Sequence, residues 1–320
     1  MLTRLPFVFW PTPAGRLTIL IYHRVLPDWQ PLRPDESHAV LFERQMALLA
    51  RHFRPMALGD AVRALRDGRL PQRACCVTFD DGYADNLTVA GPIMQRHRIP
   101  ASVFVATGYL DGGRMFNDTV IECVAATKLM QLDATVLGLG PLPLATLDER
   151  RQAVSSILKV VRYLPPTERD SKVADLVRAA GSPVLPDDLM LSTPQLRALA
   201  ASGVDIGGHT ISHNVLTTLT SEQAEAEIGG GKRTLERLLD RPVPHFAYPN
   251  GVPARDFTRA HADLVRRLGF ELAVTTAVGV VSQDTLDPFQ LPRFSPWGKS
   301  VLALSARLAR NAQSRQHALA

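Results

Sequence analysis

A short apolar run ending in two adjacent carboxylates constrains this chain more than any other stretch. It reads Cys75-Cys76-Val77-Thr78-Phe79, then Asp80-Asp81-Gly82-Tyr83-Ala84-Asp85-Asn86. Pro71 and Gly82 bracket the run, which reads as a buried strand. Side chains alternate faces along a strand, but at a frayed end both carboxylates can turn toward one mouth. Two ionised carboxylates so close repel each other, so a metal or an Arg should neutralise the pair. The competing reading makes Asp80 or Asp81 the cap of a helix starting near Tyr83.

A second stretch favours the metal. Val204-Asp205-Ile206-Gly207-Gly208 is a short strand that leads into His209-Thr210-Ile211-Ser212-His213. In a helical turn, residues four apart lie on one face, so both imidazoles can reach one ion. The glycines before them allow backbone to approach a ligand closely. A divalent ion on two His and one Asp, with positions open for water and substrate, is a hydrolytic arrangement.

Thr78-Phe79-Asp80-Asp81-Gly82 and His209-Thr210-Ile211-Ser212-His213, in this order, resemble the first two motifs of the polysaccharide deacetylases, the NodB-homology or family 4 carbohydrate esterases. The resemblance covers residues 15–110 and 190–295. It implies an α/β fold, a distorted (β/α) barrel, and metal-assisted removal of acyl groups from N-acylated sugars. Asp80 then matches the general base, and Asp81, His209 and His213 the metal ligands. Zinc suits a His2Asp set best, and cobalt or nickel fit similar ligands.

The chain departs from the family pattern in two places. His245-Phe246-Ala247-Tyr248-Pro249-Asn250-Gly251 lacks the Arg that often orients the base there. It resembles a Tyr-Pro-x-Gly variant, in which the Tyr248 backbone N–H stabilises the oxyanion. The closing Leu-x-His motif, the usual source of the general acid, is absent; His261 falls mid-helix and His317 in the tail. One branch of the family carries its acid after an N-terminal Tyr-His pair, which Tyr22-His23 matches. Arg293 becomes the candidate for the missing base-orienting Arg.

In order, the chain reads as a βα progression. Strands are expected at Leu17–Tyr22, Phe53–Met56, Cys75–Phe79 and Pro100–Thr107. From about 110 to 192 only helical stretches appear (118–130, 147–163 and 167–180), which implies a helical insertion lying over the mouth or packed outside it. A long helix runs to Leu239 with Thr220 and Gln223 as its capping pair, interrupted by Gly229-Gly230-Gly231. A helix over 255–268 and strands at 271–275 and 291–294 complete a barrel spanning 15–295.

The net charge of +5 has a location: after Asp287 come Arg293, Lys299, Arg307, Arg310 and Arg315 with no acidic residue. No basic stripe interleaves with aromatics, so nucleic acid is excluded as a partner. Residues 299–320 read as a basic amphipathic helix with Val301, Leu304 and Leu308 on one face, which either touches an anionic membrane or closes the barrel. Three Cys give no disulfide framework, the apolar run near Met1–Pro11 is too short and Pro-broken for a secretory signal, and nothing spans a membrane. A cytoplasmic, metal-dependent N-deacetylase acting on a glycan or glycolipid is expected. The alternatives are a de-N-formylase of a lipid-linked aminosugar and an inactive sugar-binding member of the fold.

Overall fold

A computed structural model of the chain describes residues 14–296, 300–312 and 319–320. Among these, seven strands run parallel around the barrel: Arg16–Tyr22 (β1), Ala74–Phe79 (β2), Ala101–Val105 (β3), Asp205–Gly208 (β4), His245–Ala247 (β5), Leu272–Val278 (β6) and Leu291–Arg293 (β7), and the short strand Arg54–Pro55 pairs parallel with the start of β2. Each of the seven pairs with the next in chain order, and Ile21 N–H donates to Phe294 O at 3.1 Å while Phe294 N–H donates to Ile19 O at 2.7 Å. Those two bonds close the sheet into a barrel. Val281–Ser282 fills the rest of the seam, antiparallel to Arg16 and Leu17.

Strand alternation sorts the side chains. Ile19, Cys76, Phe104, Ala247, Val274 and Leu291 face inward, and Leu58, Ala61 and Leu65 of a helix at Leu58–Arg66 pack with them. Gly59 of that helix lies against the His245 ring at the start of β5, so the helix plugs the end where the strands begin. The outward residues, among them Leu20, Val77, Val103, Ile206 and Phe246, pack beneath helices at Ala39–His52 (α1), Gly91–His97 (α2), Thr193–Ala201 (α3) and Ser221–Leu239 (α4). The chemistry is therefore left to the strands' C-terminal ends, as barrels of this kind arrange it.

Between β3 and β4 lie helices at Phe116–Ala126, Leu147–Val161 and Pro166–Ala179, with a separate apolar core that includes Val120, Val124, Leu132, Ile157 and Leu176. This segment also holds strands, contrary to expectation: Gln131–Asp133 pairs antiparallel with Pro141–Pro143. Two prolines in a three-residue strand hide it from any propensity count, and a two-stranded ribbon tolerates them because it has free edges.

The helix after the carboxylate pair starts at Asn86 with a π turn over Asn86–Ala90, and neither Asp80 nor Asp81 caps it. The triple glycine leaves α4 unbroken, and Thr220 and Gln223 form its capping box. The C-terminal helix spans Val301–Ala312, with Lys299 and Arg315 outside the described residues. Leu304 and Leu308 are buried in the outer core, with Val301 packed against it. The face expected to meet a membrane thus belongs to the fold. No helix among the described residues is long and apolar enough to cross a membrane.

Candidate active site and metal centre

Asp80 continues the inward alternation of Cys76 and Thr78, so its carboxylate enters the mouth of the barrel. Arg293 ends β7 on the same inner surface. The two meet as a bidentate pair: Nη1 to Oδ1 at 2.7 Å and Nη2 to Oδ2 at 2.6 Å. Arg293 is itself held by Nε donation to Thr275 O at 2.7 Å and by Thr78 Oγ1 at 3.2 Å. Both partners are nearly fully buried. Burial alone would raise the Asp80 carboxyl, but the Arg293 guanidinium outweighs it and keeps the group below its ordinary value.

Asp81 goes elsewhere. Its backbone is left-handed (φ 78°), as is Gly82 (φ 87°), so the chain turns out of the strand and swings the second carboxylate aside. Asp81 Oδ1 lies 3.3 Å from His209 Nε2 and 3.2 Å from His213 Nε2, and these three residues are the group among the described residues that could hold a metal ion. Oδ1 is buried yet makes no hydrogen bond of proper geometry. His209 Nδ1 lies 2.7 Å from the Ala247 carbonyl, which requires that nitrogen to carry the proton and frees Nε2 as a lone pair. Burial pushes the Asp81 carboxyl up, but the two imidazoles hold it well below the ordinary range; in turn the His209 ring is raised against its own burial by Asp81 and Asp80. This corner favours positive charge. A divalent ion fits it, because a carboxylate oxygen and two imidazole nitrogens converge there.

The two histidines do not share a helical turn. Residues 209–215 form an irregular loop in which Thr210 (φ 65°) and His213 (φ 53°) are left-handed, and the rings meet at 4.8 Å between centroids. A residue that sequence reasoning missed holds this loop: Glu227 of α4 accepts from Ile211 N–H (2.9 Å), Ser212 N–H (2.8 Å) and Ser212 Oγ (2.9 Å). The triple glycine explains how α4 comes so near. A Cβ on Gly231 would lie 2.8 Å from Thr210 O.

Of the other expected residues, His23 follows β1 at the mouth, half-buried, with its carbonyl accepting from Asn86 Nδ2 at 2.9 Å. Its ring acts electrostatically on both Asp80 and Asp81. Tyr248 is placed differently from expectation. Its N–H donates to Val274 O at 3.3 Å as the next rung between β5 and β6, and its ring is buried, stacked on Phe257 at 3.8 Å. The amide expected to face the oxyanion is thus already engaged in the sheet.

The inserted segment docks on the loops at this end. Asp118 accepts from Arg33 (2.7 Å) and Tyr83 Oη (2.9 Å), Arg169 donates to Asn214 beside His213 (3.0 Å), and Tyr163 donates to Asp256 (3.2 Å). Leu191 N–H donates to Gly82 O and Ala84 N–H to Leu189 O, each at 2.9 Å, so the end of the insertion pairs with the carboxylate turn.

A parallel barrel with an Arg-clamped carboxylate beside an Asp-His-His group at its mouth has the architecture of the NodB-type fold. Comparison with known proteins agrees. The family model described as polysaccharide deacetylase matches residues 167–273. The Bacillus subtilis protein YxkH, named provisionally as a polysaccharide deacetylase, is 28% identical over 94 residues, which span 29% of this chain and 32% of that protein. Two solved structures share the fold: the deacetylase PplD of Streptococcus pyogenes, in complex with acetate (TM-score 0.61, 18% identity, 93% of this chain and 99% of that one), and IcaB of Ammonifex degensii (TM-score 0.57, 19% identity, 93% and 97%). The chain thus resembles the polysaccharide deacetylases over residues 167–273 and shares the fold of solved members.

Proposed function

We propose that the protein removes N-acetyl groups from amino sugars of a polysaccharide or glycolipid, using a divalent ion held by Asp81, His209 and His213. The observation that carries this is the orphaned, buried Asp81 Oδ1 within 3.3 Å of two imidazole nitrogens, next to an Arg-clamped Asp80. Zinc suits these donors best. Such an ion polarises the acyl carbonyl and makes water a nucleophile near neutral pH. Asp80, kept ionised by Arg293, takes the proton of the attacking water. The guanidinium also fixes the carboxylate's direction, because a bidentate pair resists rotation. His23, at the end of β1, gives a proton to the departing sugar nitrogen. Tyr248 has no part in this scheme.

Metal analysis and acyl release test the reading together. The purified protein should carry a divalent ion and release acetate from N-acetylated oligosaccharides, and His213→Ala should lose most of the ion. Equal metal content in both proteins would overturn the ligand assignment. Formate release in place of acetate would move the substrate to an N-formylated sugar, and bound metal without acyl release would leave a sugar-binding protein.

A further inference from the structure

A cavity of about 450 Å³ opens against the end of β1 and shares the His23 wall with the site just described. Its other lining includes Trp29, Asp35, Glu36 and Ser37. Trp29 is 46% exposed, a large apolar ring left facing solvent at the rim. Ser37 is buried, yet its Oγ has no hydrogen-bond partner among the described residues. Buried polar groups are ordinarily paired, so the hydrogen bonding of this wall is incomplete.

The charge of the cavity says which kind. Two carboxylates line it, and no Lys or Arg does. The nearest guanidinium groups are committed elsewhere: Arg24 to Asp85 at 2.8 Å, and Arg33 to Asp118 at 2.7 Å and Glu122 at 3.0 Å. Glu36 Oε2 accepts the Arg24 backbone N–H at 3.3 Å, and Oε1 is left without a protein donor among the described residues. Burial raises the Glu36 carboxyl, against the pull of His23, Arg33 and Arg24 nearby. A neutral acetamide would leave these carboxylates desolvated and unpaired, which is costly. An ammonium would pair with them where the low dielectric strengthens attraction.

We propose that this cavity is a subsite for a hexosamine unit whose nitrogen is already free, its ring against Trp29 and its ammonium between Glu36 and Asp35. The proposal rests on the deacetylase reading of the adjoining site. Its consequence is directional: an acetyl group next to an existing free amine is removed in preference to one in a fully acetylated stretch.

Calorimetric titration of the metal-loaded protein tests it, with a fully de-N-acetylated glucosamine tetrasaccharide and its fully N-acetylated counterpart as probes. The amine form should bind the parent protein at least about tenfold tighter, the scale of one hydrogen bond to a charged group. Glu36→Gln should remove most of that preference, whereas Trp29→Ala, at an exposed position, should weaken both probes alike. Asp35→Asn supplies a second, exposed acidic variant should Glu36→Gln fold poorly. Equal affinity of the parent for both probes, no binding of either, or a preference untouched by both acidic variants would overturn the subsite. The titrations are run in an Asp80→Asn background so that the acetylated probe is not consumed, and a failure of the unaltered enzyme to release acetate would count against the adjoining site alone.

Discussion

The barrel and the segment inserted after β3 are each built on an apolar core, yet they use polar groups for different ends. In the barrel, Asp80, Arg293, Asp81, His209 and His213 converge on one mouth, where Asp81 Oδ1 is left without a hydrogen-bond partner among the described residues. In the insertion, Asp118, Arg169 and Tyr163 each reach across to a barrel loop and are satisfied by it. One region supplies reactivity, the other supplies position. The division is what a barrel allows, because loops at the strand ends can be lengthened without touching the strands that aim the reactive groups.

The largest effect should come from Asp80→Asn. Removing the base lowers the rate by about 10²–10⁴-fold while bound metal stays as in the wild type. A loss of metal along with rate would mean that Asp80 is a ligand and not a base. Arg293→Met should follow, destabilising the fold by about 3–5 kcal/mol in denaturant titration, because it strands a buried carboxylate. The double variant with Asp80→Asn should recover part of that; no recovery would show that Arg293 acts through packing and its bond to Thr275.

His23→Ala divides the chemistry further. Amide hydrolysis should fall far more than hydrolysis of an activated aryl acetate, whose leaving group needs little protonation. Equal losses on both substrates would make His23 a positioning residue. Turning to the insertion, Ile157→Ala should cost about 2–5 kcal/mol as a buried large-to-small change, with metal content retained. The smallest effect probes the join: Arg169→Met should weaken metal binding by about tenfold in chelator competition, since supports of ligand residues act on that scale. Unchanged affinity would detach the insertion from the ligand loop.

The barrel was largely legible in the sequence because its strands are apolar, β-branched and bounded by turn residues, and because the two motifs stand at strand ends. The rest was hidden for physical reasons. Nothing local marks Thr210 and His213 as left-handed, so a regular turn was the natural expectation for the His pair. Glu227 lies 15 residues from Ser212 along the chain, and Arg169 lies 45 from Asn214, so their roles depend on helix packing that no window of sequence contains. Tyr248 lies in a recognisable motif, but whether its amide is free depends on how far the ladder between β5 and β6 extends. Arg293, by contrast, was reachable by asking which cation remained near a strand end.

The triple glycine carries a warning for anyone engineering this protein. In an exposed helix, replacing Gly by Ala ordinarily gains about 0.8–1.0 kcal/mol, and a design guided by helix propensity would change all three. At Gly231 the added methyl would press on the Thr210 carbonyl at 2.8 Å, and at Gly230 it would meet Ile211 Cδ1 at 2.6 Å. The flexible Ile211 tip can yield; the carbonyl belongs to the loop that carries both imidazoles. A propensity-guided change at Gly231 would therefore push on the loop that carries both imidazoles, and the clash would cancel the gain in helix stability that motivated it.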